Sequence, residues 1–405
     1  MKEGWQVKKL GEVCTTIQDG AHESPQKQFD SPGEGRFLYI TSKNIRTNYL
    51  ELKNISYVER DFHDRIYPRC QPEVGDVLLT KDGANTGNVA LNTIDEPFSL
   101  LSSVCLIKTN PTALNSAFLC YYLQSPDGLM SIIGQMTGAA IKRIILRDVK
   151  LATIPLPPLP EQQRIVALLD EAFEAIASTK AHAEQNLKNA RGLFESQLDA
   201  VFRQRGEGWV EKTLEELGTI TSSKRIFKNE YVESGVPFYR TKEIKQLANK
   251  LPITTELFIS QSRYDEVKSN SGVPKLGDVL LTAIGTIGEI YVVDGEGEFY
   301  FKDGNVLWLK EFHSIDSYFL KYVLRSFVDS LNNMAHGSAY SALPIQRLNA
   351  HRIFVPSIEE QRKIVAELDD LESESQNLES VYRRKIAALD ELKASLLHKA
   401  FAGEL

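Results

Sequence analysis

LPPLPEQQRIVALLDEAF, residues 156–173, and VPSIEEQRKIVAELDDLE, residues 355–372, are two versions of one pattern. Pro157 matches Pro356, Glu161 matches Glu360, Gln162 matches Gln361, and Ile165-Val166 matches Ile364-Val365, all at an offset of 199 residues. Prolines stand at 155, 157, 158 and 160 and then cease. Proline is accepted in the first turn of a helix and excluded from its interior, so a helix starts here. Glu161 in that first turn suits the positive end of the helix dipole. Apolar residues then recur at steps of three and four: Val166, Leu169, Phe173, Ile176, Ala183, Leu187, Ala190, Phe194 and Val201. The second copy gives Val365, Leu368, Leu371, Leu378, Tyr382, Ile386, Leu389 and Leu396. This is a coiled-coil seam sustained beyond three heptads. Two long surface helices on separate domains would fit the spacing. Pairing of the two copies fits better, because each seam needs a partner, and tandem pseudo-twofold repeats make such a pair antiparallel.

Each copy closes one half of the chain. The expected organisation is a globular domain at 1–155, a long helix at 156–206, a second domain at 207–354 and a second long helix at 355–405. The 405 residues allow more than one core, and the apolar fraction of 42% is ordinary for a soluble protein. No run approaches 18 apolar residues and MKEGWQVKKL lacks a signal-peptide core. A cytoplasmic protein without a membrane partner is expected. Cys14, Cys70, Cys105 and Cys120 form no C-x-x-C pair and have no histidine cluster beside them, so reduced thiols and no metal are expected. The net charge is −7, with the excess concentrated in the last helix. Any contact with nucleic acid must therefore rest on local basic loops.

In the first domain QDGAHESPQKQFDSPGEG, residues 18–35, is a loop rich in Gly, Pro, Asp and Ser. Loops of this length in a compact domain are usually functional or disordered. Gln18, Asp19, His22, Lys27 and Gln28 in it are able to bond base edges or phosphates. RFLYITSKNI is a strand entering a polar turn with Lys43 and Asn44. VGDVLLTKDGANTGNVAL is strand, turn, strand; Val77, Leu78 and Leu79 suit a strand buried on both faces, and the turn presents Lys81, Asn85 and Thr86. LNSAFLCYYLQS is a helix, and Gly138, Lys142 and Arg143 fall in an exposed segment. The class is α+β with a mixed sheet.

The same order recurs. Trp5, Leu10 and Glu12 match Trp209, Leu214 and Glu216; VGDVLLT matches LGDVLLT; FLCYYLQS matches FLKYVLRS; TGAAIKRIIL aligns with HGSAYSALPI. The offset drifts only from 204 to 199, which marks a duplicated domain. The frameworks agree while the polar loops do not. The second domain offers Lys224, Arg225 and Lys228 around Phe227, then Arg240, Lys242 and Glu243, then Ser338, Tyr340 and Ser341. One scaffold with two loop sets suits two ligands, or two sequences of one ligand. Basic residues beside an aromatic fit phosphate and base contacts.

Catalytic patterns are missing. There is no phosphate loop, no dinucleotide fingerprint, no N-P-P-[YF] or D-P-P-[YF] methyltransferase tetrapeptide and no serine or cysteine nucleophile motif. Asp127 with Glu243 and Lys245 mimics a nuclease set, a match that chance supplies in a chain this charged.

The twin EQQRIV and EQRKIV helices, the twin GDVLLT strands, DGAHESP, SSKRIF with GVPFYRTKEI, and KAFAGEL together resemble the DNA-specificity subunit of type I restriction–modification systems along the whole chain. The resemblance implies two target-recognition domains, each reading one half of a bipartite, asymmetric duplex DNA site, on an antiparallel coiled coil. It implies docking of two modification (methyltransferase) subunits and of restriction (motor-nuclease) subunits. It implies no catalytic residues and no cofactor on this chain, with S-adenosylmethionine, ATP and Mg held by the partners. Glu161, Gln162, Arg164, Glu360, Gln361 and Arg362 are the candidate partner interface. The rival reading is a two-domain coiled-coil scaffold that binds protein partners and no DNA.

Overall fold

The computed structural model describes residues 3–133, 143–204, 206–295, 297–327 and 343–405. The chain divides into two compact units, residues 1–184 with 383–405, and residues 185–382. The division cuts across both long helices, Leu159–Arg203 and Ile358–Ala402. Each unit thus consists of one globular domain and a piece of each helix.

In the first unit a four-stranded antiparallel sheet has the spatial order Cys14–Asp19, Val104–Thr109, Val77–Thr80, Val89–Leu91. A smaller mixed sheet joins Ser56–Glu59, Arg36–Ile40 and Ser99–Leu100, the last pair parallel. The strand Val77–Thr80 is buried on both faces, as its unbroken apolar run requires. Val77 and Leu79 pack with Phe118 and Leu123 of the helix Ser116–Gln124, while Leu78 packs with Leu38, Ile40 and Phe98. The GD that opens the twin motif makes the preceding turn. Gly75 sits at φ +90 and the Asp76 carboxylate accepts the Glu73 N–H at 2.8 Å.

The second unit repeats this plan. Its sheet runs Thr219–Ser222, Val306–Lys310, Val279–Thr282, Ile290–Val292, and Asp278 accepts the Lys275 N–H at 2.8 Å. The smaller sheets differ. A helix, Thr241–Ala248, follows Val236–Tyr239, where the first unit has a turn and two short strands, Ile45–Arg46 and Tyr49–Leu50. Each domain closes with a two-stranded ribbon, Gln6–Lys9 against Thr153–Leu156 and Val210–Thr213 against Arg352–Val355, and the long helix starts just beyond.

Within each unit the helix pieces run antiparallel. In the first, Ile165, Leu169, Phe173 and Ile176 share a core with Leu397, Ala400 and Phe401, and Lys180 pairs with Asp390 at 2.6 Å. In the second, Phe194 and Leu198 pack with Leu368 and with Tyr322 of the domain, and Arg191 pairs with Glu379 at 2.9 Å. Three seam positions differ from the sequence reading, one of them at Leu397, which is buried where the spacing selects the half-buried Leu396. Leu198 is buried, where the spacing selects Val201, and Leu378 is 39% exposed. Ser375 takes the buried place one turn earlier, its hydroxyl donating to the Ala190 carbonyl at 2.7 Å. Among the described residues no helix is long and apolar enough to cross a membrane, and no group of His, Cys, Asp or Glu is placed to hold a metal ion.

Candidate nucleic-acid interface

Asp19 ends the first strand of the sheet, and its side chain is the hub of the first unit's loops. Its carboxylate lies 2.7 Å from the Lys81 ammonium and 3.1 Å from the Arg69 guanidinium, with His22 Nε2 at 3.4 Å. Arg69 also donates to the carbonyls of Asp19 and Gly20 at 2.9 and 3.1 Å. The Asp19 and Lys81 side chains are only 5% and 3% exposed. Burial raises the carboxyl's pKa, but the hydrogen bond and charge of Lys81, with Arg69, outweigh it and hold Asp19 below its ordinary value. A duplex reaches neither group of this pair while it is intact. The pair instead ties the start of the 18–35 loop to the 81–88 turn. Arg69 has no signal in the sequence, because 50 residues separate it from Asp19 and only the fold joins them.

A second set of contacts gathers the remaining turns. Asn44, chosen from the sequence as a contact residue, is buried; its carbonyl oxygen accepts the Thr41 N–H at 3.0 Å and its amide donates to Glu51 O at 3.1 Å. It builds the turn that exposes Lys43. Half-buried Asn85 donates to Ser42 O at 3.1 Å, Ile144 N–H donates to Lys81 O at 3.0 Å, and Arg143 pairs with Asp82 at 3.2 Å. The structure thereby brings the 41–44 turn, the 81–88 turn and Arg143 together. Thr86 donates to Gly83 O at 2.7 Å within its own turn. His22, Lys27 and Gln28 are exposed, Lys27 lying 3.7 Å from Glu59, and half-buried Gln18 lies against the Arg69 guanidinium.

In the second unit the 222–230 segment is pinned by its buried residues. Ser223 donates to Phe301 O at 2.7 Å, Lys224 N–H donates to the Tyr300 hydroxyl at 2.7 Å, and Ile226 is 4% exposed. Glu230 accepts the Phe227 N–H at 2.6 Å and is held by Arg263 at 2.7 Å. Lys224, Arg225, Phe227 and Lys228 are left outward, Arg225 beside Asp303 at 2.8 Å. Lys242 is exposed, 3.8 Å from Glu256. Glu243 is fully buried, accepting from the Arg240 N–H at 2.8 Å and guanidinium at 2.9 Å. That is a helix cap: burial raises its pKa, yet the Arg240 side chain and backbone N–H hold it below the ordinary value. Lys142, Ser338, Tyr340 and Ser341, with Gly138, lie outside the described residues.

At each helix start the glutamine makes the same three bonds. Gln162 is fully buried; its carbonyl oxygen accepts the Asn115 N–H at 2.8 Å, and its amide donates to Ala113 O and Pro157 O at 2.9 and 2.8 Å. Gln361 accepts from Asp316 N–H at 2.7 Å and donates to Ser314 O and Pro356 O at 3.1 and 2.9 Å. Asn115 and Asp316 are themselves the side-chain caps of the domain helices Ser116–Gln124 and Ser317–Ser326. The glutamine therefore staples long helix to domain helix and has no surface to offer a partner. Glu161 and Arg164 pair with each other, and Arg164 donates to Leu405 O at 2.8 Å; Glu360 accepts from Trp209 Nε1 at 3.0 Å; Arg362 is exposed. Of the six interface candidates, Arg164 and Arg362 are the exposed ones.

The thiols are poor nucleophiles. All four cysteines are unpaired, and burial pushes Cys70 to about 11 and Cys14 and Cys120 to about 12. A duplicated α+β domain with one framework and two loop sets, each copy stapled to a long helix, defines a two-headed recognition scaffold. The family described as Type I restriction modification DNA specificity domain matches residues 2–189 and 206–384, and the chain belongs to it. It is 27% identical over 303 residues to a putative type I restriction enzyme specificity subunit of Haemophilus influenzae, covering 73% of this chain and 74% of that one. It is 21% identical to the type I restriction enzyme MjaVIII specificity subunit of Methanocaldococcus jannaschii, covering 100% and 93%. Its fold resembles a chain solved in work on complex assembly and conformational transition of the type I R-M system, with TM-score 0.80, 23% identity and coverage of 100% and 99%. It also resembles the HsdS subunit from Thermoanaerobacter tengcongensis, with TM-score 0.64, 23% identity and coverage of 100% and 98%.

Proposed function

We propose that this chain is the specificity subunit of a type I restriction–modification complex and that each domain reads one half of a bipartite, asymmetric duplex DNA sequence. The observation that carries the reading is the contrast between frame and loops. The strands, the GD turns and the glutamine staples repeat, while the outward residues differ: His22, Lys43 and Arg143 on one domain, Lys224, Arg225 and Lys228 on the other. A frame that repeats while its exposed polar residues change is what two different half-sites require. The antiparallel helix pieces, with matching helix starts in both units, suit two copies of one partner, the modification subunit. Restriction subunits complete the assembly in the cytoplasm. S-adenosylmethionine, ATP and Mg belong to those partners, and this chain supplies base and backbone contacts without a catalytic group.

The test is an exchange of residues 1–155 for the matching domain of a relative with a different recognition site. Methylated positions in the host DNA should then change in one half-site and stay the same in the other. If both halves changed together, the domains would not read independently. Purified alone with S-adenosylmethionine and duplex DNA, the chain should transfer no methyl group, and measurable transfer would overturn the non-catalytic reading.

A further inference from the structure

Phe227 is 59% exposed, in the middle of the basic segment Lys224–Lys228. A large ring in water is not held there by packing, since its neighbour Ile226 fills the core position and is 4% exposed. Its backbone is fixed all the same. Its N–H goes to Glu230 at 2.6 Å, Glu230 goes to Arg263 at 2.7 Å, and on the other side Ser223 and Lys224 are tied to Phe301 and Tyr300. A rigid mount that presents an apolar ring between cations is preorganised for a ligand with anionic edges and an apolar spot between them. Duplex DNA has that form in the major groove, where phosphates flank the groove and the thymine C5-methyl is the apolar group on the base edges. Among the described residues of the first unit the aromatic exposed to a similar degree is Tyr49, 54% exposed on the strand Tyr49–Leu50, and it stands beside Leu50 and Glu51 and not within a run of cations.

We propose that Phe227 is a specificity-determining residue of the second domain, reading a thymine of its half-site through the C5-methyl while Lys224, Arg225 and Lys228 hold the flanking backbone. This rests on the DNA-specificity reading above. It assigns the two kinds of side chain on one segment to different tasks. The cations set affinity and its salt dependence, and the ring sets base choice.

The experiment pairs a protein change with a DNA change, using the subunit assembled with its modification subunits. Duplexes carry the selected site with each thymine of the second half-site replaced in turn by deoxyuridine, which lacks only the methyl group. One such replacement should weaken binding by the wild-type complex about fourfold, the factor that burying one methyl group carries. F227A should bind the thymine duplex more weakly by at least that factor and no longer distinguish the two duplexes. Its salt slope should stay unchanged, whereas K224A should lower the slope by about one. Equal discrimination by wild type and F227A, a half-site lacking thymine, or 2-aminopurine fluorescence showing that the ring unstacks a base step would each overturn the methyl contact while leaving specific DNA binding intact. Failure of the complex to prefer any sequence would overturn the underlying reading as well. Because the ring is exposed, F227A should keep the wild-type unfolding profile, and loss of folding would show a structural role instead.

Discussion

In the first unit Cys105 of the central strand faces Asp19 on one side and Leu79 on the other; in the second, Leu307 faces Ser222 and Leu281. The register thus places Ser222 where Asp19 stands. Ala283 stands where Lys81 stands, each accepting a backbone N–H from the same closing segment, Leu343 in one case and Ile144 in the other. One domain carries a buried ion pair at the root of its loops and the other a hydroxyl and a methyl. The contact between domain helix and long helix shows the opposite distribution. In the second unit Arg325 pairs with Glu372 and with Glu195, and its guanidinium lies 4.3 Å from the Phe194 ring centre. The matching places in the first unit hold Gln124 and Phe173, and Phe173 packs edge-on against Tyr121. The two copies thus place their ion pairs differently, at the loop root in one and at the helix junction in the other, and share the glutamine staple.

The largest effect expected is at the loop root. Lys81→Ala removes the buried partner of the Asp19 carboxylate and leaves it the half-exposed Arg69 at 3.1 Å, so the change should cost up to about 3–5 kcal/mol. Asp19→Ser with Lys81→Ala copies the second unit's choice and should cost much less than the sum of the single changes. Denaturant unfolding of the single and double variants measures the coupling. If the costs simply added, the pair would be a contact surface and not a tie.

Somewhat smaller is the cost at the staples. Gln162→Ala and Gln361→Ala each leave one N–H and two carbonyls without partners and should destabilise their own unit by roughly 2–4 kcal/mol. Hydrogen exchange should show lost protection at the start of the helix Ser116–Gln124 for the first variant and of Ser317–Ser326 for the second. Protection unchanged in either unit would end the claim that the two staples are equivalent.

The smallest effect concerns acid. Burial raises the Glu372 pKa, but Arg325 and Lys321 outweigh it and hold the carboxyl below its ordinary value. A carboxyl lowered on folding contributes stability above its unfolded pKa, about 4.3, and loses it as pH falls through the folded value. The stability advantage of wild type over Glu372→Gln should therefore shrink as pH falls from roughly 7 toward 3. An advantage that stays constant over that range would mean that the Glu372 charge contributes nothing.

What the sequence made legible followed from periodicity and repetition. The proline-to-helix boundary, the doubly buried Val77–Leu79 run and the duplication all come from local pattern, and each lies where the pattern put it. The fine seam did not, because tertiary packing chose Leu198 over Val201 and admitted Ser375 through a hydrogen bond that spacing cannot show. The roles of polar residues were the least legible. Asp19, Asn44, Lys81, Gln162, Glu243 and Gln361 look like surface chemistry in a list of residue types, and all six are buried with partners. Their partners lie up to 62 residues away, as for Asp19 and Lys81, or on the backbone, where composition carries no signal. Phe227 was visible among its lysines, but only the pinned backbone around it explains why it points outward.

Residues 383–405 belong to the first unit, where Phe401 packs edge-on against Phe118 and Tyr122. During synthesis that ring emerges after every residue of the second unit has been made. Residues 185–382 are contiguous and are able to close as soon as they leave the ribosome. The first unit must wait while the ribosome adds the 221 residues from 185 to 405, roughly ten to forty seconds at ordinary elongation rates. The domain made first is thus the last to be finished. During that interval the places that Leu397, Ala400 and Phe401 take in its core are unfilled.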